Sequence, residues 1–400
     1  MCKADTLLHT LKLSDSDAGH SSYFNPSHLR HDLFSGQVPC LRTLEIRQLS
    51  VNWDHPVFSK TLTSLIVTEG SHGGGFEQLL SALEQMTYLE CLLLEDAILS
   101  VGSRTASLPA PSRTIALLLL RFIHLNGIAV DSANLLRHLY PAIDTELEII
   151  TSVGQDVVQD LVTSLGSQLN QTVPLRTVCL AQMEGPKLVL SAWRRDIDFH
   201  KWHSYISDRV APIHLDLSSP VLSQGTRRLF SELPLWSSVR FLQVEANSGQ
   251  RWAWRDIISN MPNLRVLGVL HGVENSMLDA LSAAHPAENG GTPSVALPHL
   301  EVLAFRYTPL ARHAQYMARF FHKLIDCLIL RCNYDLPVQE VHLKDCLNID
   351  DEDVDRLREI VPEVVWDGYV TMEDDDDEYI RDYIPSDYYE DRDYEDDVGY

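Results

Sequence analysis

No stretch of this sequence is apolar for long enough to cross a membrane. The densest run, IALLLL from Ile115 to Leu120, falls far short of the roughly 18 residues that a spanning helix needs. The opening MCKADTLLHTLKL has neither the uninterrupted apolar core nor the small-residue cleavage site of a secretory signal. Cysteine is sparse and shows no pairing pattern. The seven cysteines include no C-x-x-C and no cluster, which excludes a disulfide framework and implies reduced thiols in the cytoplasm or nucleus. The acceptor triplet Asn170-Gln171-Thr172 is then expected to stay unmodified.

Enzyme motifs are missing as well. There is no G-x-S-x-G elbow, so HGGG at His72–Gly75 reads as a turn before a helix and not as an oxyanion loop. Without a Gly-Lys dipeptide there is no phosphate-cradling loop. His28/His31 and His200/His203 have ligand-like spacing but no Cys or H-E-x-x-H partner, and they read as surface histidines. Cys327 and Cys332 read as strand residues. The expectation is no catalytic residue, no metal and no cofactor. Basic residues are also scarce: 32 Lys and Arg face 56 Asp and Glu, a net charge of −24. Nucleic acid binding relies on clustered positive charge and is therefore not expected, nor is a membrane partner. From Glu373 to Tyr400, 14 acidic and 2 basic residues give −12, half of the total, with six tyrosines among them. A like-charged block of this kind buries too little apolar surface to offset chain entropy, so a disordered acidic tail is expected over 372–400.

What the chain has in plenty is leucine at a fixed spacing. In PNLRVLGVL, Leu264, Leu267 and Val269 stand at i, i+3 and i+5. Neither a helix nor a simply alternating strand wants that pattern. It suits one inward residue at a turn followed by a short strand with two inward side chains. The pattern recurs as LHTLKL at Leu8, LRTLEI at Leu41, LTSLIV at Leu62, LECLLL at Leu89, LRFIHL at Leu120 and DTELEI at Asp144. It continues as LRTVCL at Leu175, VAPIHL at Val210, VRFLQV at Val239, LEVLAF at Leu300, IDCLIL at Ile325 and VQEVHL at Val338. From Leu41 onward the starts lie between 13 and 36 residues apart, a ragged version of the leucine-rich-repeat period. The fold class expected is α/β: an irregular leucine-rich-repeat solenoid with strands on its concave face and helical returns outside. Strands are expected in chain order near residues 44, 65, 92, 123, 147, 178, 213, 242, 267, 303, 328 and 341. The tightest joint is Ile325 to Val338, where no room remains for a helix.

The returns carry helical periodicity. Val157, Val158, Leu161, Val162, Leu165 and Leu169 share one helical face, as do Met317, Phe320, Phe321, Leu324 and Ile325. WAWRDIISNMP and SMLDALSAAHP read as shorter helices stopped near proline. Pro-, Gly- and Ser-rich stretches at 100–113 and 286–299 read as loops. Over 338–361 the pattern sharpens to VQEVHLKDCLNIDDEDVDRLREIV. Here the small thiol of Cys346 is placed to satisfy backbone groups as the chain leaves the strand, and Asp350 or Asp351 to cap the next helix.

That cysteine-containing repeat is characteristic of F-box/leucine-rich-repeat proteins. LSALEQMTYLECLLLEDA (80–97), SANLLRHL (132–139) and VPEVVWDGY (361–369) resemble the expanded F-box proteins of basidiomycete fungi. The resemblance covers Leu41 to Tyr369 and implies the substrate-recognition part of a ubiquitin-ligase receptor. Residues 1–40 contain no F-box-like start and read as an atypical N-terminal repeat and loop, followed by a solenoid over 41–371. As given, the chain is expected not to bind the ligase adaptor, and ligase components become partners only if an F-box lies upstream. With no capping helix before the first repeat, either the true start lies upstream or a partner covers that end. The alternatives are a GTPase-activating protein resembling the Ran regulator, whose repeats are more uniform, or a free-standing scaffold.

If the fourth and sixth positions of each repeat point inward, the third, fifth and seventh face the concave side. This outward set includes Ile66, Leu93, Phe122, His124, Phe241, Gln243, Val266 and Leu270. Adjacent apolar residues on one exposed face predict a surface for a protein target.

Overall fold

A computed structural model describes residues 8–15, 29, 33, 38–70, 75–98, 108, 110–152, 158–169, 173–183, 187–197, 211–218, 234–245, 252–271, 275–285, 294–308, 310 and 315–370. The first third holds β1 (Thr10–Ser14), β2 (Thr43–Arg47), β3 (Ser64–Thr68), α1 (Phe76–Gln85), β4 (Cys91–Glu95), β5 (Ile115–Leu117), β6 (Phe122–Ile128), α2 (Ala129–His138) and β7 (Leu139–Pro141). The middle holds β8 (Glu146–Ser152), α3 (Val158–Leu169), β9 (Thr177–Met183), β10 (Lys187–Trp193), β11 (Ile213–Ser218), β12 (Phe241–Glu245), α4 (Trp254–Ser259) and β13 (Val266–Leu270). The last part holds α5 (Asn275–Leu281), β14 (Ala284–His285), β15 (Ser294–Val295), β16 (Val302–Arg306), α6 (Gln315–Asn333), β17 (Glu340–Lys344), α7 (Asp351–Arg358) and β18 (Glu363–Trp366). Fourteen strands form one mainly parallel sheet in the order β1-β2-β3-β4-β6-β8-β11-β10-β9-β12-β13-β16-β17-β18. The protein is α/β.

The i, i+3, i+5 spacing has a local cause. Leu41, Leu62, Leu89, Leu120, Leu264 and Leu300 each donate their N–H to the carbonyl three residues back, which makes the turn into the next strand. The carbonyl following a turn leucine then takes two donors from the neighbouring strand in five of the six: Arg42 accepts from Thr63 and Ser64, Glu90 from Arg121 and Phe122, and Arg265 from Glu301 and Val302, while Arg121 takes only the Glu146 N–H. Strands of five residues follow, except after Leu120, where β6 runs to seven. The residue just beyond the strand turns left-handed, with φ between 45° and 61° at Gln48, Glu69, Asp96, His271, Tyr307 and Asp345. Such a backbone costs non-glycine residues about 1 kcal/mol or more. Here it is held in place by the ladder, since Gln48, Glu69 and Asp96 donate to Thr68, Glu95 and Asn126 of the next strand. Gly127, beside Asp96, has φ +147°, and a Cβ there would meet the Asp96 carboxylate at 3.3 Å.

Alternate strand residues enter one core. Leu44 and Ile46, Leu92 and Leu94, Leu267 and Val269, and Leu303 and Phe305 are all at most 1 % exposed. They join Leu79 and Leu83 of α1, Ala133 and Leu136 of α2, Leu161 and Leu165 of α3, Phe320 and Leu324 of α6, and Leu357 of α7 in a single cluster. Each such leucine contributes about 1.5–3 kcal/mol. The helices therefore lie on one face of the sheet and leave the alternate residues on the other.

Two expectations are corrected. IDCLIL at 325–330 is not a strand: it lies inside α6, and Cys327 and Cys332 are helical. Phe320, Phe321, Leu324, Cys327, Leu328 and Arg331 are buried at helical spacing, so twelve residues of 3.6-fold periodicity outweigh one six-residue match. Asp335 then takes φ +57° and the Leu336 N–H returns to the Arg331 carbonyl, ending the helix in the usual left-handed way. Arg331 is fully buried, and its guanidinium donates to the carbonyls of Ala296 and Leu297 at 2.7 Å each. Burial pulls its pKa below the ordinary arginine range. The second correction is strand order. KLVLSAW forms β10, antiparallel to both β9 and β11. Only residues 184–186 separate β9 from β10. A connection that short makes a hairpin, because a parallel neighbour needs a crossover of about a dozen residues. The hairpin displaces β11 to the far side, where it pairs with β8.

Other expectations hold locally. Asp350 caps α7 by accepting from the Asp353 N–H at 3.0 Å, and buried Cys346 donates to the Phe305 carbonyl at 3.4 Å. The tail, the histidine pairs and the greater part of both expected loops lie outside the described residues, as does most of 1–40. No helix among the described residues is long and apolar enough to cross a membrane.

Candidate protein-binding face

Strand register sets the face opposite the helices. One row runs Lys12, Glu45, Ile66, Leu93, His124 and Glu148 across β1 to β8. It continues through His214, Ser191, Cys179, Gln243, Gly268, Ala304 and His342. Phe122, Phe241 and Val266 belong to the row on one side, and Glu95, Asp216 and Leu270 to the row on the other, because residues two apart on a strand share a face.

The eight outward residues therefore share this face but not one environment. Ile66, Leu93, Phe122 and Val266 are half-buried. His124 is 7 % exposed, flanked by carboxylates. Phe241, Gln243 and Leu270 are buried. Phe241 and Leu270 pack with Cys179, Trp193, Ile197 and Ala211 in a second apolar cluster, separate from the main core. Burial, with a smaller push from Glu245, raises the Cys179 thiol to about 12. Of the eight, Ile66, Leu93 and Phe122 make a contiguous half-buried apolar strip, and Val266 stands apart from it.

Glu45, Glu95, Glu148 and Asp216 stand at fifth and seventh repeat positions of the same face, beside the expected His124 and Gln243, and counting every outward position finds them. Glu45 takes contacts of 2.6 Å from both Lys12 and Arg47. The bond from Lys12 and then that from Arg47 hold its carboxyl below the usual range. Asp216 meets Lys187 at 2.8 Å. The His124 Nδ1 lies 2.8 Å from a Glu148 oxygen and its Nε2 3.4 Å from a Glu95 oxygen, while the Phe122 ring stacks on the imidazole at 6.4 Å.

Both nitrogens of His124 face carboxylates, Nδ1 toward Glu148 and Nε2 toward Glu95. His214 Nδ1 lies 3.1 Å from the Ser191 hydroxyl, but β10 and β11 each have a bonded strand on both sides. The ladder thus consumes the backbone N–H groups that would stabilise an oxyanion. Among the described residues no group of three or more His, Cys, Asp or Glu is arranged to hold a metal ion. No protein-family model matches the chain, and no curated protein resembles it at a significant level.

Proposed function

We propose that the chain is a leucine-rich-repeat solenoid acting as a protein-interaction module, without chemistry of its own, and that its target lies on the helix-free, concave face over β2 to β8. The observation that carries this reading is the half-buried apolar strip of Ile66, Leu93 and Phe122 between carboxylates, on a rigid sheet that no helix covers among the described residues. Repetition of the turn, the shared acceptor and the left-handed exit supports the solenoid part. The further step, the target-recognition part of an F-box-type ubiquitin-ligase receptor, rests on the resemblance of 41–369 alone.

The test is to compare proteins retained by the full chain with those retained by Leu93→Asp and Phe122→Asp, after circular dichroism shows all three folded. A target bound by the wild type and lost from both variants is the expected result. Identical retention by all three would remove this face as the binding site. The ligase step predicts in addition that the captured target accumulates in cells when the protein is depleted.

A further inference from the structure

The carboxylates of this face are not equivalent. Glu45 and Asp216 have Lys or Arg partners. Glu95 and Glu148 meet only His124 among the described residues. One imidazole cannot neutralise two carboxylates, so the trio keeps net negative charge whether His124 is protonated or not. A second observation concerns the ring itself. His124 is more than nine-tenths buried, and its Nε2 has no hydrogen-bond partner although it points toward Glu95. When Nδ1 carries the proton and donates to Glu148, the Nε2 lone pair and the Glu95 oxygen face each other as two acceptors. With the ring neutral, a donor with positive charge is what this arrangement lacks among the described residues, and the sheet fixes it on three adjacent strands.

We propose that Glu95, Glu148 and His124 form the docking point for an arginine side chain of a partner protein, presented in a short segment whose apolar neighbours settle on Leu93 and Phe122. This rests on the protein-binding reading of the same face. Arginine fits better than lysine, because its planar fork reaches two carboxylates at once and stacks on an aromatic ring, here Phe122. The chain's own Glu373–Tyr400 segment, at −12, is repelled from such a point, which favours a partner chain as the occupant. Nucleic acid has the wrong sign.

The experiment is a selection of random short peptides against the full chain, repeated with Glu95→Gln/Glu148→Gln and with Leu93→Asp. Enriched peptides are expected to carry arginine beside leucine, isoleucine or phenylalanine. A synthetic copy should lose affinity at least about tenfold when its arginine becomes glutamine, and by a similar factor on the Glu95→Gln/Glu148→Gln chain. The two losses should not add, which marks a direct contact. Binding should also weaken with rising salt. Peptides without basic residues, or binding indifferent to Glu95→Gln/Glu148→Gln yet lost with Leu93→Asp, would overturn the arginine docking and leave the protein-binding face intact. Enrichment that is the same on both variant chains would remove both.

Discussion

Glu45 and His124 stand in the same row of the sheet, yet their surroundings assign them different work. Glu45 is saturated by Lys12 and Arg47, so it is a structural group. Its carboxyl titrates below its ordinary 4.5 because both bonds favour the ionised form. A carboxylate with a depressed folded pKa contributes stability that is complete above the unfolded value and disappears as pH falls through the folded one. Glu45→Gln should therefore lower stability by less than about 1 kcal/mol at neutral pH, since both cations are largely exposed. The difference from wild type should hold steady above pH 4.5 and vanish on further acidification, as followed by urea unfolding at stepped pH. A gap that widens in acid would contradict the assignment. The identity of these residues was plain in the sequence. Their partners were not, because Lys12, Glu95 and Glu148 come from strands that only register brings side by side.

At the scale of elements, the strands were legible wherever a turn leucine and two inward residues stood at the fixed spacing, because that spacing encodes a local backbone path. β10 was not legible, since it is a hairpin return and lacks the turn leucine. IDCLIL was misread because a six-residue pattern matches by chance inside a longer helical one. The two readings place the cysteines differently. A strand at 325–330 would turn Cys327 away from the core, whereas α6 buries it and exposes Cys332. In the folded protein a thiol reagent should label Cys332 quickly and leave Cys327 untouched. Cys179 and Cys346 should be inert too, as burial raises both thiols to about 12. Peptide mapping after brief labelling measures this, and equal rates at Cys327 and Cys332 would remove the helix. The covered half of the candidate face was hidden for a related reason. Phe241 and Leu270 pack with Trp193, Ile197 and Ala211, and of these Trp193 and Ile197 lie outside the repeat pattern.

At the scale of the whole molecule, most strands pair with a sequence neighbour, so each part of the sheet holds chiefly to the parts beside it. The exception is the inverted block, where Leu147 pairs with Ile213 and Thr177 with Phe241. Pulled from its two ends in an optical trap, such a molecule would pay out chain in small steps, first from β1 inward and from β18 inward. On reaching the inversion, neither front can advance strand by strand, because β8, β9, β10, β11 and β12 are laced through one another. The last rip should be long, abrupt and need more force than any before it. Refolding under low load should hesitate at the same place, since the distant strands must meet before either gains a partner. A uniform staircase from end to end would contradict this. What reads in the order of strands as an irregularity is, under tension, a knotless buckle that holds the two halves of the strap together.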